Sequence, residues 1–318
     1  MVASAGDVPG AGSARVAISG ASGLIGGALT AFLTTGGHRV DPLVRRAPRA
    51  GTTEIHWDPA RGEIDAAGIE GVDAVVHLAG ENIAAGRWTA ARKEAIRASR
   101  VEGTRLLCRA LAGLNRRPSV LVSASATGYY GDRGDEPLHE DSPPGSGFLA
   151  DVCQAWEAAT APAAQAGIRV VILRNGLVLT GRGGALGRML GPFRLGLGGV
   201  MGSGRQYMSW IALDDLVRAI QLAMLATTLA GPVNAVAPRP VTNAEFTQTL
   251  GRLLRRPTIL ALPGPLIRLA FGEMGPALLL ASARVLPARL EAAGFQYRHA
   301  ELADALREAL GETRRDAA

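Results

Sequence analysis

Nine residues, Ile18-Ser19-Gly20-Ala21-Ser22-Gly23-Leu24-Ile25-Gly26, constrain this chain more than any other stretch. They join a short β-branched run, Arg15–Ser19, to an amphipathic run, Leu24–Thr35, which Gly36-Gly37 closes. A strand, a tight turn and a helix are the local structures that fit this order. Gly20 permits the sharp turn and Gly23 lets backbone N–H groups approach a pyrophosphate. Gly26 lets helix and strand pack closely, while the helix N-terminus supplies positive potential. A plain βα turn would use the same glycines. The position of the loop directly after the first strand favours dinucleotide binding, with contacts expected at Gly20, Ser22, Gly23, Leu24 and Ile25.

The following residues keep up the alternation. Strands are expected at His38–Val44, Asp73–Leu78, Ser119–Ser123, Arg169–Leu173 and Val233–Val236, with Pro42 suiting an edge or a bulge. Helices are expected at Thr89–Ala112, at about Leu149–Ala166, and through about Ala226 from a cap at Asp214 or Asp215. Alternation at this spacing predicts an α/β fold, a doubly wound Rossmann parallel sheet with right-handed crossovers. Ten glycines lie between Gly181 and Gly204, and beyond Pro238 the pattern turns helical, at Asn243–Leu254, Gly264–Ala281 and near Glu301–Leu310. The expected organisation is a flexible tail over 1–14 and a nucleotide-binding domain over 15–180, to which 208–237 returns. Residues 181–207 and 238–312 form a smaller, mainly helical C-terminal lobe, and 313–318 a second tail.

Charge and composition exclude several functions. The chain carries 34 basic and 28 acidic residues, yet Lys93 is its only lysine, so no Gly-Lys-Ser/Thr phosphate loop exists. Its arginines are scattered through helical patterns without basic runs or interleaved aromatics, which argues against nucleic acid as a partner. Cys108 and Cys153 lack ligand spacing, so neither a disulfide framework nor a metal site is expected, in keeping with a reducing cytoplasm. The stretch before Arg15 lacks the order of a signal peptide, and no apolar run reaches the roughly 20 residues of a membrane span. No membrane partner is therefore expected.

The end of the second strand bears on which dinucleotide fits. An acidic residue there would hold the 2′-hydroxyl of NAD. The chain instead offers Val44-Arg45-Arg46, and Asp41 comes too early in the strand. A guanidinium pairs well with a 2′-phosphate, so NADP(H) is favoured over a reading of Arg45 and Arg46 as a solvated strand end. Leu78, Ala79 and Gly80 offer small residues at the carboxyl edge of the next long strand, where open α/β sheets place ligands.

Together these stretches resemble the extended short-chain dehydrogenase/reductase superfamily of NAD(P)-dependent epimerases and dehydratases. Gly20–Gly26 is similar to its G-x-x-G-x-x-G loop, His77–Gly80 to its N/H-x-A-G motif, and Ser123–Gly131 to its S-S-x-x-V-Y-G strand end. Leu78–Asn82 with Arg87-Trp88, Gly147–Cys153 and Val285–Arg289 resemble, more narrowly, the atypical "epimerase family" proteins with a C-terminal domain of unknown function. The likeness runs from about Arg15 to Leu310. It implies further cofactor contacts at Ser123 and Val178 and a surviving serine at Ser125.

The same resemblance exposes departures. Active relatives use Tyr-x-x-x-Lys on the helix after the serine strand, the tyrosine as acid/base and the lysine to lower its pKa. With Glu157 aligned to the family's glutamate, Leu149 stands in place of the tyrosine and Cys153 in place of the lysine. Arg100 replaces a helix asparagine and is a candidate for the ribose or anion contacts of the lysine. Tyr129 and Tyr130, beside Ser125, are candidates for a displaced acid or for substrate-wall residues, and Asp151, Glu81 and Asp132 are also able to move protons. The five histidines are dispersed, with no metal site among them, and no G-x-S-x-G elbow is present. The Gly/Arg-rich stretch suits a lid over an anionic small-molecule substrate, or a solvated loop. Two functions remain. One is an NADP(H)-dependent oxidoreductase or nucleotide-sugar epimerase-like enzyme whose usual acid/base pair is replaced. The other is a non-catalytic NADPH-binding regulatory or redox-sensing protein, for which a link to cell division would fit.

Overall fold

The computed structural model describes residues 13–311, so most of both expected tails lies outside the described residues. Eight strands form the main sheet: β1 (Arg15–Ser19), β2 (Arg39–Val44), β3 (Ile55–Asp58), β4 (Glu63–Ile64), β5 (Ala74–His77), β6 (Val120–Ala126), β7 (Arg169–Asn175) and β8 (Gly231–Ala235). Their order is β8-β7-β6-β5-β1-β2-β3-β4, parallel except for the antiparallel pair of β3 with β4. The strand order reverses between β1 and β5, paired from Val16 with Ala74 to Ser19 with His77. That reversal opens a crevice at the carboxyl edge, where a doubly wound sheet takes its ligand.

Both faces of the sheet are apolar, as a buried parallel sheet requires. Val16, Ile18 and Val76 face α1 (Leu24–Thr35) and a helix over Leu213–Leu225, packing with Leu29, Leu33, Leu216 and Ile220. The alternate residues Ala17, Val75 and Leu121 pack on the other face with Leu107 and Leu111 of α2 (Ala90–Ala112). Thr89 caps α2 by accepting from Arg92 N. Pro42 is tolerated inside the sheet because β3 pairs with β2 only at Leu43 and Val44, leaving the outer side of Pro42 open.

A separate cluster joins Leu186, Leu190 and Phe193 of α4 (Gly184–Arg194) to Phe246 and Leu250 of α6 (Asn243–Leu254) and Leu306 of α7 (Leu302–Leu310). Here the Leu213–Leu225 helix is α5 and Phe148–Ala158 is α3. A reciprocal Thr242/Glu245 capping box starts α6.

Several boundaries differ from expectation. The Leu149–Ala166 helix is two pieces, α3 and a short helix over Ala161–Gln165, with Pro162 opening the second. Likewise Gly264–Ala281 divides into Gly264–Phe271 and Pro276–Leu280, parted by Gly272 at φ +60°. Asp215 does not cap α5; its carboxylate accepts from Arg298 N and His299 N and ties down the chain before α7. No helix among the described residues is long and apolar enough to cross a membrane.

Candidate functional site

The Gly20 turn is built with little tolerance. Gly20 has φ +72°, and a Cβ there would stand 3.0 Å from Leu78 C and Ala79 N. A Cβ on Gly26 would lie 2.1 Å from Gly20 O, so the helix start and the turn touch through bare backbone. Gly23 N donates to Gly20 O at 2.9 Å, and no side chain caps α1. The N–H groups of Leu24, Ile25 and Gly26, at the positive end of the helix, therefore have no partner among the described residues. They open on a cavity of about 250 Å3 walled by Gly20, Gly23, Leu24, Ile25, Leu78 and Val178, together with Leu177, Gly184 and Ala185. Leu177 and Val178 belong to a strand over Leu177–Leu179, and Gly184 and Ala185 begin α4. The Gly-rich segment thus covers the cavity, and Arg188 on α4 fastens it by donating to Ala84 O at 2.7 Å.

The opposite wall is held by a buried chain. Ser19 Oγ accepts from Leu78 N at 3.1 Å and Ala79 N at 3.2 Å, so its proton goes to His77 Nδ1 at 2.6 Å. The ring is then left to donate through Nε2 to Thr104 Oγ1 at 2.9 Å. Burial pushes the His77 pKa down to about 4, keeping the ring neutral as this chain of bonds requires. Gly80 completes the wall, its Cβ direction 3.3 Å from the Arg100 guanidinium. Sequence reasoning missed Ser19, His77 and Thr104 as a unit, because its members are 58 and 27 residues apart.

At the end of β2 the two arginines differ. Arg45 is exposed and has no side-chain partner among the described residues. Arg46 forms a two-pronged pair with Glu54, which also accepts from Arg49 N; the Arg46 bond first, then that of Arg49, lowers the Glu54 pKa to about 2. Asp41 is fully buried between Arg15 and Arg39 and does not face the cleft. Ser22 is exposed in the turn. Ser123 is buried within the sheet, its hydroxyl only 3.5 Å from Ala124 O, and does not reach the cavity wall.

Around Ser125 a second network lies at the carboxyl ends of β6 and β7. Ser125 Oγ donates to Glu157 Oε1 at 2.7 Å. Arg174 holds the same carboxylate through Nε at 2.9 Å and Nη2 at 2.8 Å. Through Nη1 it donates to Tyr130 OH, also at 2.9 Å, and Tyr130 OH donates to Asn234 Oδ1 at 2.7 Å. Tyr130 is fully buried, and burial raises its pKa, so the geometry gives it a packing role and leaves it no free proton to offer. Tyr129 is different: half-buried, stacked 3.5 Å from the Arg174 guanidinium, its hydroxyl has no partner among the described residues. Asn175, at the end of β7, buries an unpartnered Oδ1 beside the Leu177–Val178 wall.

On α3, Leu149 packs with Trp88 and Phe148. Cys153 is buried, and that burial pushes its thiol up to about 11, so it stays protonated. Arg100 stacks on Trp156 at 5.1 Å and donates to Glu81 O at 3.0 Å. Glu81 is paired to Arg92, Asp132 accepts from Ser282 N, and Asp151 is an exposed residue of the first turn of α3. No group of three or more His, Cys, Asp or Glu able to hold a metal is found among the described residues.

The profile of the NAD dependent epimerase/dehydratase family matches residues 16–235, and that of a domain of unknown function, DUF1731, matches residues 262–309. The epimerase family protein Mb2239 of Mycobacterium bovis is 50% identical, covering 92% of this chain and 97% of its own. The crystal structure of human epimerase family protein SDR39U1 with NADPH superposes with a TM-score of 0.85 at 38% identity, over 93% of this chain and 99% of that one. A nucleoside-diphosphate sugar epimerase from Corynebacterium glutamicum gives 0.78 at 41% identity over 94% of this chain, which spans 59% of that longer protein.

Proposed function

This chain belongs to the NAD dependent epimerase/dehydratase family, and we propose that it is an NADP(H)-binding, atypical short-chain dehydrogenase/reductase of the cytoplasm. The observation that carries the reading is the cavity at the bare N-terminus of α1, with unpaired Arg45 at the end of the adjacent strand. Gly20, Gly23 and Gly26 let the turn close on itself without a Cβ, and Leu24 and Ile25 present N–H groups there, so the site fits a pyrophosphate. Arg45 meets the 2′-phosphate. Asp41, held by Arg15 and Arg39, offers nothing to a 2′-hydroxyl. The NADPH in the human relative supports this choice of cofactor.

When bound, the nicotinamide supplies or accepts a hydride. The chain's own part is to position and to move a proton. Leu149 and Cys153 occupy the places of the usual acid/base pair and neither titrates near neutrality. That leaves Ser125 and Tyr129 as the candidate polar groups at the carboxyl edge of the sheet, with Tyr130 behind them as support. The substrate is a small anionic molecule, a nucleotide sugar or a carboxylate, admitted under α4, whose neighbouring Arg182 has no acidic partner among the described residues. We assign the chain to oxidoreductase or epimerase-like chemistry.

The test is hydride traffic: protein loaded with NADPH is presented with a panel of carbonyl compounds and nucleotide sugars while absorbance of the reduced cofactor is followed. Turnover that Ser125→Ala abolishes is the expected result. Tight NADPH binding with no turnover on any member would instead favour a regulatory NADPH-binding protein, the reading that the buried thiol and leucine on α3 make second.

A further inference from the structure

The C-terminal lobe carries a surface that the nucleotide site does not use. Residues 158–213 and 246–272 contain no aspartate or glutamate. The two segments meet in space: Gly199–Met201 pairs in parallel with Leu260–Leu262, and Arg256 Nε donates to Arg194 O at 2.8 Å. Nine large hydrophobic residues are exposed among those described, and seven lie in these two segments. Ile259, Leu195 and Leu269 are 86%, 75% and 73% exposed, and Leu197 and Leu266 follow them. Leu260 and Leu262 lie in a strand exposed along its whole length. Such a concentration of aliphatic surface marks a contact site.

Arginines border the apolar surface. Arg194, Arg252, Arg255, Arg256 and Arg268 are all exposed, and none forms a salt bridge among the described residues. Three of them line a shallow depression of about 410 Å3 with Gln248 and Thr258, immediately before Ile259. An uncompensated cationic rim beside protruding aliphatics repels a second copy of itself and attracts an anionic, apolar occupant. The aliphatics stand proud on a loop, an edge strand and one face of a short helix, and the depression beside them is lined by three arginines. A protein partner's side chains would find no apolar groove there, whereas acyl chains take up protruding leucines and guanidiniums meet headgroup phosphates.

We propose that this face rests on the surface of an anionic phospholipid bilayer, with Ile259, Leu266 and Leu269 entering the acyl boundary and the arginines at headgroup level. The absence of a spanning run is compatible with this, since a face that lies on a membrane needs no span. The proposal stands apart from the nucleotide assignment and fails or holds without it.

The experiment is cosedimentation of the full chain with vesicles of phosphatidylcholine alone and of phosphatidylcholine mixed with phosphatidylglycerol. The chain is expected to sediment with the mixed vesicles only and to come off as salt is raised. Arg255→Glu with Arg256→Glu should weaken binding at least roughly 25-fold, taking about fivefold for each arginine near an anionic surface. Leu266→Glu with Leu269→Glu should abolish it, with unchanged circular dichroism and melting temperature showing that both variants fold. Equal binding to neutral vesicles, or none to either, overturns the proposal. So does a dimer in light scattering that the leucine variant dissociates, or capture of an acidic amphipathic peptide without vesicle binding.

Discussion

Replacing Arg45 by glutamate tests the cofactor assignment most directly. Arg45 is exposed and unpartnered, so its removal breaks no contact of the folded chain and leaves stability unchanged. On the proposed assignment it removes a charge-assisted bond to the 2′-phosphate, worth about 1–3 kcal/mol, or roughly 5- to 150-fold in Kd. NADH lacks that phosphate and should lose little. Arg46 is the internal control, because Glu54 already occupies its guanidinium with two bonds. Arg46→Ala should therefore weaken NADPH less than Arg45→Glu does. Isothermal calorimetry with NADPH, NADH and 2′-phospho-ADP-ribose reads all three quantities. Equal losses for NADPH and NADH would refute the phosphate assignment, and a larger loss at Arg46 would move it one residue along the chain.

Gly23→Val should abolish binding of both nucleotides, because a Cβ there already stands 3.2 Å from Gly20 O and branching blocks the pyrophosphate; calorimetry showing unchanged affinity would contradict it. Glu157→Ala leaves Arg174 buried without its carboxylate, their side chains being 10% and 2% exposed, and should cost about 3–5 kcal/mol in urea unfolding. Tyr130→Phe removes bonds to Arg174 and Asn234 and should cost about 1–3 kcal/mol while leaving NADPH affinity intact; a lost turnover with unchanged stability would restore it as an acid. His77 has a folded pKa near 4 against an ordinary 6.5, so below 6.5 the unfolded chain binds a proton that the native ring refuses. Stability from this group is complete above 6.5 and falls by about 3 kcal/mol as pH drops to 4, a slope that urea midpoints of His77→Asn should lack.

The parts of this fold legible in sequence are those decided locally. β1, the glycine turn and α1 fall where the strand run, three spaced glycines and the closing Gly36-Gly37 place them, since each signal acts within a few residues. The helix Asn243–Leu254 is likewise bounded by its own capping box. β3 and β4 were not visible, because four and two residues carry no readable period. The break between α3 and the Ala161–Gln165 helix was missed although Pro162 marks it, since proline is as welcome in a first turn as it is disruptive inside a helix. Asp215 looked like a cap because it opens a helix, but amides 83 and 84 residues away claim it. The same holds for the site: Leu78 and Val178 were placed on the cavity by motif, whereas Arg174, 44 residues from Tyr130 and 17 from Glu157, decides which tyrosine is free.

That decision has a chemical consequence. Glu157 is gripped on both oxygens by Arg174 and remains a carboxylate, so it can only accept, and the Ser125 hydrogen is committed to it. Ser125 therefore has no proton to give, and its oxygen is in turn hydrogen-bonded by the Cys153 thiol. A carbonyl oxygen arriving there finds no donor in Ser125. In the proposed enzyme the donor for a carbonyl must then be Tyr129, whose hydroxyl is unclaimed and whose ring is braced by the Arg174 guanidinium. On α3, Leu149 is packed among aromatics and the Cys153 thiol stays protonated, so neither offers a proton there. In the proposed enzyme the acid would thus sit just beyond the end of β6, with Arg174 fixing its ring.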